Sequence, residues 1–85
     1  MRLLETSKFG KLRSRLKDDA EREALKGAAL AVAENPLSGK KLKSEFKGLR
    51  SFRYDVRGQT RRLIYKLDED AVVLFSFGPR QGIYK

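Results

Sequence analysis

Along the chain the spacing of apolar residues changes once, from a helical period to an alternating one. After a short apolar start, Met1 to Glu5, that reads as an edge strand, Phe9, Leu12 and Leu16 fall at i, i+3 and i+7. That is one stripe of an amphipathic helix beginning at Ser7, with Lys11, Arg13 and Arg15 on its other faces. Gly10 lowers its helical propensity. Asp18, with Glu21 three positions later, has the spacing of a cap with an acid at N3. It opens a second helix, DAEREALKGAALAVAEN, that ends before Pro36 because the residue preceding proline disfavours helical geometry. The alanines of this helix allow close approach to a neighbour, and the KDD turn makes the two helices an antiparallel hairpin.

Beyond the turn-rich, basic stretch NPLSGKKLKSEFKG the period becomes 2. Three strands are predicted, Leu49 to Val56, Arg61 to Leu67 and Ala71 to Phe77, joined by the loops RGQT and DED. With Val56 opposite Arg61 and Leu67 opposite Ala71, the alternation agrees across all three. One face then carries Phe52, Tyr54, Val56, Leu63, Tyr65, Leu67, Val73, Phe75 and Phe77, and is the face for the helices to cover. The other carries Ser51, Arg53, Asp55, Arg62, Ile64, Lys66, Val72, Leu74 and Ser76. The fold class is therefore α+β, a helical hairpin on one face of a small, mainly antiparallel sheet, in a single domain over residues 1–85. Tyr54 and Tyr65 belong to the core. Arg53 and Arg62 project from neighbouring strands on the uncovered face, and Arg62 sits opposite Asp55, where a cross-strand ion pair is a competing role for it.

Composition removes several chemistries. The chain has no Cys and no His, so disulfides, thiolates, a catalytic imidazole and nearly every zinc site are excluded, and neither metal nor cofactor is expected. The start MRLLETSKF has too short an apolar run for a signal peptide and GAALAVA is too short to span a bilayer, so a cytoplasmic protein without membrane contact is expected. The net charge is +9, and it is uneven. Between residues 35 and 66 ten basic residues (Lys40, Lys41, Lys43, Lys47, Arg50, Arg53, Arg57, Arg61, Arg62, Lys66) stand against Glu45 and Asp55, an excess of +8. Such a field attracts polyanions, nucleic acid first. Lys40, Lys41, Lys43, Lys47, Arg50, Arg53 and Arg61 are thus candidate RNA contacts. NPLSG reads as a turn, because it lacks the glycine density of a phosphate cradle.

The chain closes on FSFGPRQGIYK. Gly78-Pro79 ends the last strand and leads Arg80 and Tyr84 towards the face that holds Arg53 and Arg62. The plainer roles are an exposed loop charge for Arg80 and a packing staple for Tyr84.

In order and spacing, NPLSGKKLK, GLRSFRY, RRLIYKL and VVLFSFGPRQGIYK resemble the RelE/ParE superfamily of type II toxins over residues 6–85. The resemblance implies a toxin with a cognate acidic, partly disordered antitoxin and a toxin–antitoxin hetero-oligomer. In the RelE-like branch it implies a ribosome-dependent mRNA endonuclease, with ribosomal RNA as the anion for the basic belt. RRLIY places Arg62 on the family's strand arginine, GPR places Arg80 on the arginine after the last strand, and IYK places Tyr84 on the terminal tyrosine. Arg53 matches one basic strand position. The chain departs from the pattern at Asp55, where a second basic residue is expected, and has neither the histidine of the YoeB-like branch nor a C-terminal helix.

Cleaving RNA through its own 2′-hydroxyl requires removing that proton, stabilising charge on a five-coordinate phosphate and protonating the departing 5′-oxygen. Arginine is not a base at neutral pH, so Arg53, Arg62 and Arg80 suit phosphate clamping and transition-state stabilisation. Tyr84 suits either proton transfer, with nearby arginines favouring phenolate, or stacking on a base. The alternatives to an mRNA endonuclease are a ParE-like gyrase inhibitor and a non-toxic RNA-binding regulatory module.

Overall fold

A computed structural model describes residues 1–43 and 46–79. The elements in chain order are β1 (Arg2–Glu5), α1 (Ser7–Ser14), α2 (Asp19–Glu34), β2 (Lys40–Lys41), β3 (Leu49–Val56), β4 (Gln59–Asp68) and β5 (Ala71–Gly78). The strands form one sheet in the order β1-β5-β4-β3-β2, antiparallel except for the parallel β1/β5 edge pair. Both helices lie on one face, α1 over β5 and α2 over β3. The α+β architecture expected from the sequence, with the two helices on one face of a mainly antiparallel sheet, is the one observed.

Local chemistry starts each helix. Thr6, extended, accepts a hydrogen bond from the Phe9 N–H at 3.1 Å and caps α1. Asp18 caps α2 by accepting from the Ala20 N–H at 2.8 Å. Glu21 is the acid in the first turn, as expected, and its side chain reaches across to Arg61 on β4. The second helix stops at Glu34, just ahead of Asn35-Pro36, as the proline requires.

The hairpins explain where the sequence reading went astray. Arg57 (φ 51°) and Gly58 (φ 80°) make a two-residue left-handed turn, so Gln59 and Thr60 join the strand instead of a four-residue loop. Val56 therefore pairs with Gln59, not Arg61. A shift of two residues preserves every face but changes every partner, and Arg62 comes to lie opposite Arg53 while Asp55 lies opposite Thr60. In the second hairpin Asp68 pairs with Ala71, a shift of one from the expected register, which inverts the start of β5. Val72 and Leu74 turn inwards with Leu67 and Tyr65, and Val73 turns outwards with Lys66. A bulge then restores the parity: Tyr65 pairs with Leu74 but Ile64 with Ser76, leaving Phe75 as the extra residue. Phe77 thus faces the helices as expected, and its ring meets Phe9 edge-on at 5.2 Å.

The core between helices and sheet comprises Phe9, Leu25, Ala28 and Val32 from the helices and Leu63, Tyr65, Val72 and Leu74 from the sheet, with Leu16, Phe52, Tyr54 and Phe77 packed against it. Each fully buried aliphatic side chain of this kind contributes about 1.5–3 kcal/mol. The expectation that Val73 and Phe75 lie in this core, and that Ile64, Val72 and Leu74 are exposed, is overturned. Val72 and Leu74 are inside at 0% and 6% exposure, and Ile64, although on the far face, is 2% exposed.

Candidate nucleic-acid interface

The face of the sheet away from the helices can be read row by row from the register. Its central row runs Lys40, Ser51, Ile64, Ser76 across β2, β3, β4 and β5. The next row is Arg53, Arg62, Gly78, at the end of the sheet where β5 leads to Pro79. On the other side of the central row lie Leu49, Lys66, Val73 and Leu4. Arg53 and Arg62 are opposed directly, which sets their Cβ atoms about 4.5–5.5 Å apart and costs stability unless an anion lies between them. Gly78 puts no side chain next to Arg62. The Arg62 Nε is buried without a hydrogen-bond partner, and so is the Ser51 Oγ on the adjoining row.

Four of the acids among the described residues are paired with arginines away from this row, and Asp55, on the same face, lies one row further along opposite Thr60. Asp18 binds Arg57, Glu21 binds Arg61 at 3.2 Å, Glu5 binds Arg13 at 2.8 Å and Asp70 lies 3.7 Å from Arg2. The Arg57 guanidinium, with the Ala20 N–H, holds the Asp18 carboxyl down at about 2. The Arg13 hydrogen bond lowers Glu5 as well. No ion pair between Arg62 and Asp55 is present among the described residues. The competing role rested on a register that the two-residue turn removes.

The remaining sequence candidates divide by position. Lys40 shares the far face through its pairing with Ser51. Lys41 and Arg50 are paired on the opposite parity and, with Leu42, Lys47, Gly48 and Leu49, line a separate hollow of about 280 Å³ at the β2 edge. Arg50 is occupied there, donating to the Gly39 carbonyl at 2.7 Å. Arg61 faces the helices, bound to Glu21, and is not brought to Arg53 and Arg62. Lys43 and Lys47 are exposed. Arg80 and Tyr84 lie outside the described residues. Tyr54 is no substitute as a base, because burial, aided by the Glu21 charge, pushes its phenol up to about 12. Sequence reasoning placed Ser51 and Lys66 on this face without counting them as site residues; strict alternation from Arg53 and Arg62 was the signal that could have included them.

On the helix side, a cleft of about 320 Å³ opens between α1 and α2. Phe9, Leu16, Leu25, Ala29 and Leu74 give it apolar walls, and Arg13, Arg22 and Lys26 stand around it with Glu5.

Two helices on one face of a five-stranded, mostly antiparallel sheet make a fold that this chain shares with solved RelE toxin structures. The backbone matches the intact E. coli RelBE toxin–antitoxin complex at a TM-score of 0.73, with 21% identity over 94% of this chain and 96% of that one. It matches the RelBE2 toxin–antitoxin complex of Mycobacterium tuberculosis at 0.71, with 24% identity over 93% and 96%. For YafQ of E. coli the TM-score is 0.70, with 23% identity over the whole of both chains. A search of curated protein sequences finds no match. The family model described as ParE-like toxin of type II bacterial toxin-antitoxin system matches residues 3–85, and the chain belongs to that family.

Proposed function

We propose that this toxin is a metal-independent RNA endonuclease that cuts mRNA on the ribosome by attack of the substrate's 2′-hydroxyl on the adjacent phosphate. The observation that carries the reading is the Arg53–Arg62 opposition: two arginines are cross-strand partners on one sheet face, neither forms an ion pair among the described residues, and one Nε is buried without a partner. A phosphate answers both deficits, because it is bidentate towards guanidinium and offsets the like-charge cost. Arg62 is the transition-state stabiliser and Arg53 the clamp. Lys40 and Lys66 extend the cationic track for the phosphates. Arg80 and Tyr84 join them through the resemblance of GPR and IYK to the family's closing motif, Tyr84 as base or as stacking ring. Charge stabilisation is assigned to the arginines of this face. A ribosomal target places the protein in the cytoplasm. No helix among the described residues is long and apolar enough to cross a membrane.

The partner is a cognate antitoxin, as in the RelBE complexes. An acidic amphipathic segment fits the cleft between α1 and α2, where apolar walls are bordered by Arg13, Arg22 and Lys26. The decisive experiment is a reconstituted translation reaction with the purified chain, mapping new 5′ ends on a defined message. Cuts at the ribosomal A site that vanish with Arg62→Ala support the reading. No cut at any codon, together with inhibition of gyrase supercoiling by the same preparation, would replace it with a ParE-like inhibitor.

A further inference from the structure

The motif NPLSG is left unused by the reading above, and the structure gives it a task. Tyr65, a β4 core residue at 0% exposure, sends its hydroxyl into this turn, donating to the Pro36 carbonyl at 2.6 Å and accepting from the Gly39 N–H at 3.0 Å. From β3, Arg50 donates to the Gly39 carbonyl at 2.7 Å, so both backbone groups of residue 39 are held by the sheet. The turn closes internally through the Ser38 N–H to the Asn35 carbonyl at 3.0 Å. Only glycine fits at position 39, because a Cβ there would lie 2.4 Å from the Tyr65 oxygen. The next residue is Lys40, whose pairing with Ser51 puts it on the arginine-bearing face. The β2 strand is two residues long and at the sheet edge, too short to hold its own register.

We infer that the Tyr65 hydroxyl, seated against Gly39, is a positioning device for RNA binding: it fixes the register of β2 and so holds Lys40 beside the Arg53–Arg62 row. This inference rests on the RNA reading above. Both hydrogen bonds of this hydroxyl, in an otherwise apolar core, go to the loop that leads into Lys40, so the polar group is fully satisfied there and ties that loop to β4.

The test uses the full chain with Tyr65→Phe, Lys40→Ala, their double variant, and Gly39→Ala as an independent way to disturb the clamp. Amide hydrogen exchange comes first. In Tyr65→Phe, protection should fall at Gly39 to Leu42 while β3, β4 and β5 stay protected; unchanged protection there overturns the clamp whatever RNA does. Binding to a short single-stranded RNA oligonucleotide is then titrated against salt. Lys40→Ala should lower the log-log slope by about 0.7, the value for one lost phosphate contact on a single strand. Tyr65→Phe and Gly39→Ala should each reproduce that loss, and Lys40→Ala in the Tyr65→Phe background should add nothing. A Tyr65→Phe chain with wild-type slope, or losses that simply add, overturns the positioning role. Wild-type binding that is flat with salt, alongside lost exchange protection in Tyr65→Phe, would leave the clamp standing and remove the RNA reading instead.

Discussion

Arg61 and Arg62 are neighbours in the chain and point to opposite sides of β4. Arg61 faces the helices, where Glu21 neutralises it in a half-enclosed setting, with 16% and 22% of the two side chains exposed. Arg62 faces away, opposite Arg53, with its Nε buried and unpartnered. The same contrast extends beyond the two residues. On the helix side and the adjoining loops Arg13, Arg57 and Arg61 each form an ion pair with a carboxylate; on the far face Asp55 lies one row away and neither Arg53 nor Arg62 forms an ion pair among the described residues. One side of the sheet has its charges arranged for folding and the other has charge left over. An uncompensated like-charge pair is a cost to the free protein, and it is the feature expected of a surface whose counter-ion arrives with a ligand.

The contrast is broken most directly by comparing Arg62→Ala with Arg61→Ala. Arg62→Ala should reduce ribosomal mRNA cleavage roughly 100-fold or more, the scale for losing one preorganised charge stabiliser. A full cleavage rate in that variant would make Arg62 a bystander. Arg61→Ala should do the reverse, leaving the cleavage rate of folded protein near wild type while stability falls by about 1–3 kcal/mol, because Glu21 is left partly buried without its cation. For a domain of this size that is a drop in Tm of roughly 4–8 °C per kcal/mol, readable by calorimetry. If cleavage falls in Arg61→Ala at constant folded fraction, the two sides of the sheet are not separate in function.

Acid titration sharpens the helix side alone. The Asp18 carboxyl, held at about 2 by Arg57 and the Ala20 N–H, has a folded value below its ordinary 3.8. A depressed carboxylate contributes stability that is fully present above its unfolded value, and here it is lost as pH falls from about 3.8 through about 2. Asp18→Asn should therefore flatten the dependence of Tm on pH in that window and leave RNA binding at neutral pH unchanged. A pH profile identical to wild type would show that the Asp18–Arg57 pair does not link α2 to the hairpin tip in solution.

The smallest effect is the one that tests the far face as a stored cost. Removing either opposed arginine should leave the Tm unchanged or raise it slightly, since a like-charge cross-strand contact is worth only about 0.2–1 kcal/mol. A clear loss of stability in Arg53→Ala would mean that the pair is held by a partner within the chain, and would weaken the case for phosphate.

Periodicity with a few cap and stop signals determined every element except the two-residue strand β2, which lies in the stretch read as a turn. The Phe9 and Leu16 stripe, the Asp18 cap, the stop at Pro36 and the alternation from Leu49 to Phe77 are local signals, each set by backbone geometry within a few residues, and they were sufficient for the α+β architecture. They also put Arg53 and Arg62 on one face, because faces depend only on parity and the two-residue error in the first hairpin kept parity intact. What they could not decide is which residues stand opposite one another. That depends on the left-handed Arg57-Gly58 turn, which sets Arg62 against Arg53 in place of Asp55, and on the one-residue shift and bulge that send Val72 and Leu74 inwards and Val73 outwards. The Tyr65 hydroxyl is the plainest case: alternation places the ring in the core, but its partners at Pro36 and Gly39 lie more than twenty residues away in the chain. Turn conformation and long-range hydrogen bonding belong to the assembled chain, and it is there that a row of basic residues became a paired site.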